Sequence, residues 1–120
     1  NIYFCDKEMM LAIMGKEFNG MDGAVNYWYT DNIIDRATIC YRTEIDQYVR
    51  NSVIIEEIYN GLGLIQDTSL RKDSIIYSEF SMPQELTKID ELLLRLLYSK
   101  ELKPGMGAKE CEEVIRQLYY

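Results

Sequence analysis

Histidine is absent from all 120 residues. That absence excludes conventional zinc proteases, whose ligands are imidazoles, and any hydrolase whose serine or cysteine nucleophile needs a histidine base. Only three cysteines occur, Cys5, Cys40 and Cys111, with no Cys-x-x-Cys pair, so neither a zinc knuckle nor a dithiol redox site is present. Cys40 and Cys111 are expected as small buried hydrophobes. Long apolar runs are missing too. Stretches such as Ile54-Ile55 and Leu92-Leu93-Leu94 fall far short of the roughly 20 residues that cross a bilayer, and no transmembrane segment is read. Positive charge is scarce, with 13 Lys and Arg against 20 Asp and Glu for a net charge of −7. Without a basic cluster, phosphate backbones are poor partners, and no nucleic acid is expected. The chain opens at Asn1 without an initiator Met or a charged n-region, which reads as a fragment or processed form of a longer exported protein.

What is present suits one small α+β domain spanning residues 1–120. Asp6 is a candidate N-cap, and Met10, Ile13, Met14 and Phe18 follow at helical spacing up to the breakers Asn19-Gly20. Residues 24–30 and 36–43 read as strands, the second placing Ala37, Ile39 and Tyr41 on one face. Asp31-Asn32 and Asp35 suit a turn or short crossing between them. A helix is predicted over 46–61, with Val49, Val53, Ile54, Ile58 and Leu62 as its apolar stripe and Gly61 and Gly63 as its stop. A loop over 64–85 is long for a small domain, and such loops are often functional. Thr87-x-x-Asp90 resembles a capping box, opening a helix with Ile89, Leu92, Leu93, Leu96 and Leu97 on one face. Lys103-Pro104-Gly105 breaks it, and Ala108, Cys111, Val114, Ile115 and Leu118 mark a last helix.

The segment Val53 to Leu64, VIIEEIYNGLGL, resembles the active-site helix of metzincin-type zinc proteases, HExxHxLGLxH. In that family two histidines one turn apart bind zinc, the glutamate between is the general base, and a third histidine follows a glycine turn. Here Glu57, Leu62, Gly63 and Leu64 match, while Glu56, Asn60 and Gln66 occupy the three vestigial metal-ligand positions. Asp73-Ser74-Ile75-Ile76-Tyr77 resembles the turn that passes beneath the metal, with Ile76 at the methionine position. Leu86-Thr87-Lys88-Ile89-Asp90 and Leu96-Leu97-Tyr98 resemble the family's C-terminal helix. A closer resemblance is to uncharacterised bacterial exported proteins described as lipoproteins, with the signature EExxQxLGL, DSIF, LLYxxxLxPGM. Glu56-Glu57, Leu62-Gly63-Leu64, Asp73-Ser74-Ile75-Ile76, Leu96-Leu97-Tyr98 and Leu102 through Pro104-Gly105-Met106 follow it, with Asn60 and Ile76 as departures.

These resemblances imply a zincin-like fold: a small sheet, an active-site-type helix and two C-terminal helices. They also imply export to the cell envelope or beyond. One carboxylate and two amides in place of three imidazoles do not hold catalytic zinc, so no metal or other cofactor is expected. The function read is a non-catalytic domain that binds a peptide, a protein or a cell-wall component. Tyr27, Trp28, Tyr29 and Tyr77 would form its groove, and Glu57 would be a vestigial general base serving as a structural hydrogen-bond acceptor, with the backbone, Arg42 or Tyr77 as candidate donors. Glu56 and Glu57, about 100° apart on a helix, are not expected to face each other across a substrate. The alternative is a peptidase-like hydrolase that uses Glu57 with an atypical metal or none. A third possibility is a structural module of a larger envelope protein.

Overall fold

The computed structural model describes residues 1–79 and 81–120. Its first element, strand β1 (Ile2–Cys5), was not expected from the sequence. It runs parallel to a strand some 37 residues further on, Ile2 beside Ile39 and Cys5 beside Arg42, and the Asn1 carbonyl accepts from Ile39 N–H at 2.8 Å. Helix α1 (Lys7–Met14) follows, its first turn held by the Asp6 carboxylate, which accepts from Met9 N–H at 2.8 Å. The helix ends four residues before Phe18, because Gly15 takes a φ of 117° that a side chain would strain. Phe18 closes a short 3-10 turn, Lys16–Phe18, and Ile13 stays 36% exposed.

Strands β2 (Gly23–Thr30) and β3 (Ile33–Arg42) form an antiparallel hairpin. The connection is only Asp31-Asn32, both left-handed at φ 52° and 63°, the pair of conformations that matches strand twist in a two-residue turn. This tight turn starts β3 three residues earlier than the alternation suggested. The sheet order is β1-β3-β2, mixed in direction. Cys5, Ala24 and Cys40 on one face pack against Met10 and Met14 of α1, with Phe18 at the margin. Cys40 is fully buried, which pushes its thiol up to about 12.

Helix α2 (Gln47–Gly61) covers the opposite face, capped by Asp46, whose carboxylate accepts from Tyr48 N–H at 2.8 Å. Its buried residues are Ser52, Tyr59 and Gly61, and Leu62 beyond its end is 38% exposed. The single apolar stripe is therefore corrected: α2 is packed on two sides. At Gly61 an added Cβ would lie 3.1 Å from Ile39 and 3.6 Å from Val25, so the missing side chain lets helix and sheet approach. Its other side meets the turn at 74–77. There Tyr59, Ile75 and Ile76 form a second core, flanked by Ile55, Leu64, Leu86 and Leu94.

Helices α3 (Lys88–Leu97) and α4 (Ala108–Tyr119) complete the chain. Asp90, in the first turn of α3, is fully buried. Its carboxylate accepts from the Thr87 N–H at 3.0 Å and hydroxyl at 2.9 Å, from Ser74 Oγ at 2.6 Å, and from Ile75 N–H at 3.1 Å. The Tyr59 hydroxyl donates to the Asp90 carbonyl at 2.9 Å, joining α2 to the same knot. Tyr59→Phe is expected to cost about 1 kcal/mol, the net worth of one buried hydrogen bond, as a lowered urea midpoint with an unchanged slope. No residue of α4 is buried. None of the helices is long and apolar enough to cross a membrane among the described residues.

Candidate functional site

Gly23 opens β2 directly against α2. An added Cβ would strike Val53 and lie 3.0 Å from Cγ and 3.1 Å from Oε1 of Glu57. The glycine thus lets the Glu57 side chain lie across the start of the strand. Beside it is a cleft of about 340 Å³ with three walls. Met21, Asp22 and Gly23 form the first; Val49, Ser52, Val53, Glu56 and Glu57 of α2 the second; the 64–85 loop, with Asp67, Tyr77, Ser78 and Glu79, the third. The loop holds its shape because Thr68 N–H donates to the Ile76 carbonyl at 2.8 Å and Ser78 N–H to the Thr68 carbonyl at 2.9 Å.

Five carboxylates line this cleft, Asp22, Glu56, Glu57, Asp67 and Glu79, and none of the described lining residues is basic. Burial raises the Glu57 carboxyl to about 7, the charge of Glu56 adds to the effect, and the Asn60 amide opposes it. Glu56 is raised as well, by burial first and then by the charge of Asp67. A carboxyl near 7 is divided between acid and base at neutral pH, the condition for proton transfer and for charge-selective binding.

Of the sequence-predicted residues, Glu56, Glu57 and Tyr77 share the cleft. Both carboxylates belong to the α2 wall, side by side and not across the cleft from each other. The two side chains expected as donors to Glu57 are engaged elsewhere, the Arg42 guanidinium donating to Glu44 at 3.0 Å and the Tyr77 hydroxyl to Glu79 at 3.1 Å, and the side-chain partner beside Glu57 is the Asn60 amide. Asn60 stands beside Glu57 but does not line the cleft, and its buried Oδ1 has no partner among the described residues. Gln66 is exposed and outside it. One carboxylate and two amides that do not converge do not fit zinc. Among the described residues no group of three His, Cys, Asp or Glu is placed to hold a metal ion.

The aromatic residues of β2 lie beyond the cleft. Tyr27 and Tyr29 have ring centroids 6.3 Å apart. Trp28, 42% exposed, lies under the Arg36 guanidinium at 3.9 Å, a cation–π contact. None of the three lines the acid cleft. Asp22 and Glu79 were not foreseen as site residues. Nothing local marks them, because each joins the site only through the long-range packing of β2 and the loop on α2.

Sheet, helix and loop together define a small α+β fold with an acid-lined cleft beside α2. The chain belongs to the family described as protein of unknown function (DUF2927), whose profile matches residues 12–117. No curated protein and no solved structure matches it.

Proposed function

We propose that this is an exported, zincin-like domain that has lost its zinc ligands and serves the cell envelope as a non-catalytic peptide-binding module. The observation that carries it is that β2 is an edge strand whose first residue forms a wall of the acid cleft. Arg42 N–H donates to the Asp22 carbonyl at 3.0 Å. With the antiparallel register, alternation turns the N–H and C=O of Val25 and Tyr27 outward, while those of Ala24 and Asn26 pair with β3. An extended peptide added along that edge gains main-chain hydrogen bonds, and the five carboxylates favour one with a basic side chain at the cleft.

Support for the zincin-like part comes from element order. An antiparallel edge strand, a central strand, the Glu57 helix, a turn packed against that helix and a C-terminal helix tied to the turn follow one another along the chain. The metzincin resemblance implies this order. Export rests on the lipoprotein-like signature.

Amide exchange tests the edge. In the free protein Val25 and Tyr27 should exchange well ahead of Ala24 and Asn26, and an arginine-bearing extended peptide should protect the first pair and leave the second unchanged. Binding that leaves Val25 and Tyr27 untouched would remove the edge from the mechanism. A second reading is favoured by the placement of Glu57 in the cleft, where burial and the neighbouring Glu56 raise its carboxyl to about 7: a hydrolase with Glu57 as general base. It requires turnover that Glu57→Gln abolishes.

A further inference from the structure

A second concavity, of about 580 Å³, lies at the other end of α2 and has the opposite chemistry. Its walls are the hairpin tip, the C-terminal ends of α2 and α3, the 99–106 connection and the start of α4. Ile33, Ile34, Leu62, Leu97, Leu102 and Met106 supply an apolar lining, of which Ile33 is 55% exposed, Leu97 39% and Leu62 38%. Lys103 is the only charged residue among the described lining, and no carboxylate faces it there. In a chain of net charge −7, a pocket with one cation and no anion is distinctive.

The pocket is shaped by backbone. Gly63, at φ 115°, brings the chain past Leu97, where a Cβ would lie 3.2 Å from Cδ2. Gly105, at φ 87°, does the same against Asn32 at 3.3 Å. The Tyr98 hydroxyl donates to the Leu62 carbonyl at 2.9 Å, bracing the ends of α2 and α3. Residues other than glycine rarely adopt such φ values, so the close approaches at Leu97 and Asn32 require glycine at both positions.

We propose that this pocket binds one small anionic amphiphile: an unbranched hydrocarbon chain laid along the Ile33, Ile34, Leu62 and Leu97 wall, its carboxylate at Lys103. The volume falls within the range of about 300–1,000 Å³ that suits single small ligands. The apolar lining supplies affinity and the lone cation selects the head group. This site is separate from the acid cleft and does not depend on the peptide-binding reading.

Cys111 lines the pocket and is half-buried, whereas Cys5 and Cys40 are buried in the other core, so its alkylation reports occupancy in the unaltered protein. Decanoate below its micellar concentration should slow modification of Cys111 by iodoacetamide, followed by intact mass. Decanol should protect less, and decyltrimethylammonium least. Lys103→Ala should weaken decanoate by about threefold, as expected for an exposed ion pair, and leave decanol unchanged. No protection by decanoate, or equal protection by all three probes, would overturn the proposal. So would sedimentation with anionic phospholipid vesicles without protection by free decanoate, which would indicate a membrane surface instead.

Discussion

Asp90→Ala is expected to destabilise the protein by about 3–5 kcal/mol, enough to leave it largely unfolded if the native state is of ordinary stability. The magnitude follows from what the carboxylate holds. The Ser74 hydroxyl, the Ile75 amide and both donors of Thr87 converge on it at 2.6–3.1 Å, and Asp90 itself is fully buried. Removing the acceptor strands several donors where water does not reach, each at about 1–3 kcal/mol before relaxation. Asp90→Asn tests the chemistry apart from the shape, because the amide keeps the volume but turns donors towards donors; a loss approaching that of alanine is expected. Ser74→Ala removes a single donor and should cost about 1–2 kcal/mol. Urea unfolding of the three variants checks this order. If Asp90→Asn were as stable as the parent, the Asp90 knot would not be what joins α3 to the turn at 74–77.

Thr87-x-x-Asp90 was legible as a capping box, and Asp90 does accept from Thr87 N–H. Its larger role was not, because Ser74 and Ile75 come from a turn 16 and 15 residues away, and no spacing rule links the two segments. The same division holds elsewhere. The cap Asp6 and the helices α2 and α3 depend on neighbours within a few residues, and the amino-acid pattern placed them well. Strand β1 depends on a parallel partner far along the chain, and only the free edge of β3 determines that Ile2–Cys5 is a strand. Periodicity named the wrong buried positions in α2 because the helix is clasped from two sides, where a one-face stripe is not required. Glu56 and Glu57 could be picked out by their motif. The acidity of their surroundings could not, since Asp22, Asp67 and Glu79 reach them only through the tertiary fold.

Glu57→Gln is expected to make the protein more stable at pH 8 and to leave it nearly unchanged at pH 4. The ordinary carboxyl value of 4.5 applies to the unfolded chain, and burial raises the folded value to about 7. Below the lower value both states carry the proton and the residue contributes no pH dependence. Between the two values the unfolded chain releases the proton while the folded one keeps it, so stability declines as pH rises. Above the upper value the folded protein holds an ionised, poorly solvated carboxylate, and the full penalty, about 3 kcal/mol, is present. Glutamine keeps the shape and removes the ionisation, so the slope between pH 5 and 7 should flatten, leaving a smaller one of the same sign from Glu56, whose value is also raised. Urea midpoints at pH 4, 6 and 8 decide the point. A variant weaker than the parent throughout would make Glu57 a structural acceptor after all. A gain at high pH would mean that the fold carries this carboxylate at a cost to its stability, the pattern expected of a functional-site carboxylate. The two functional readings then separate on the same variant: a charge-selecting cleft loses affinity for a cationic peptide and its salt dependence, whereas a general base loses turnover with binding preserved.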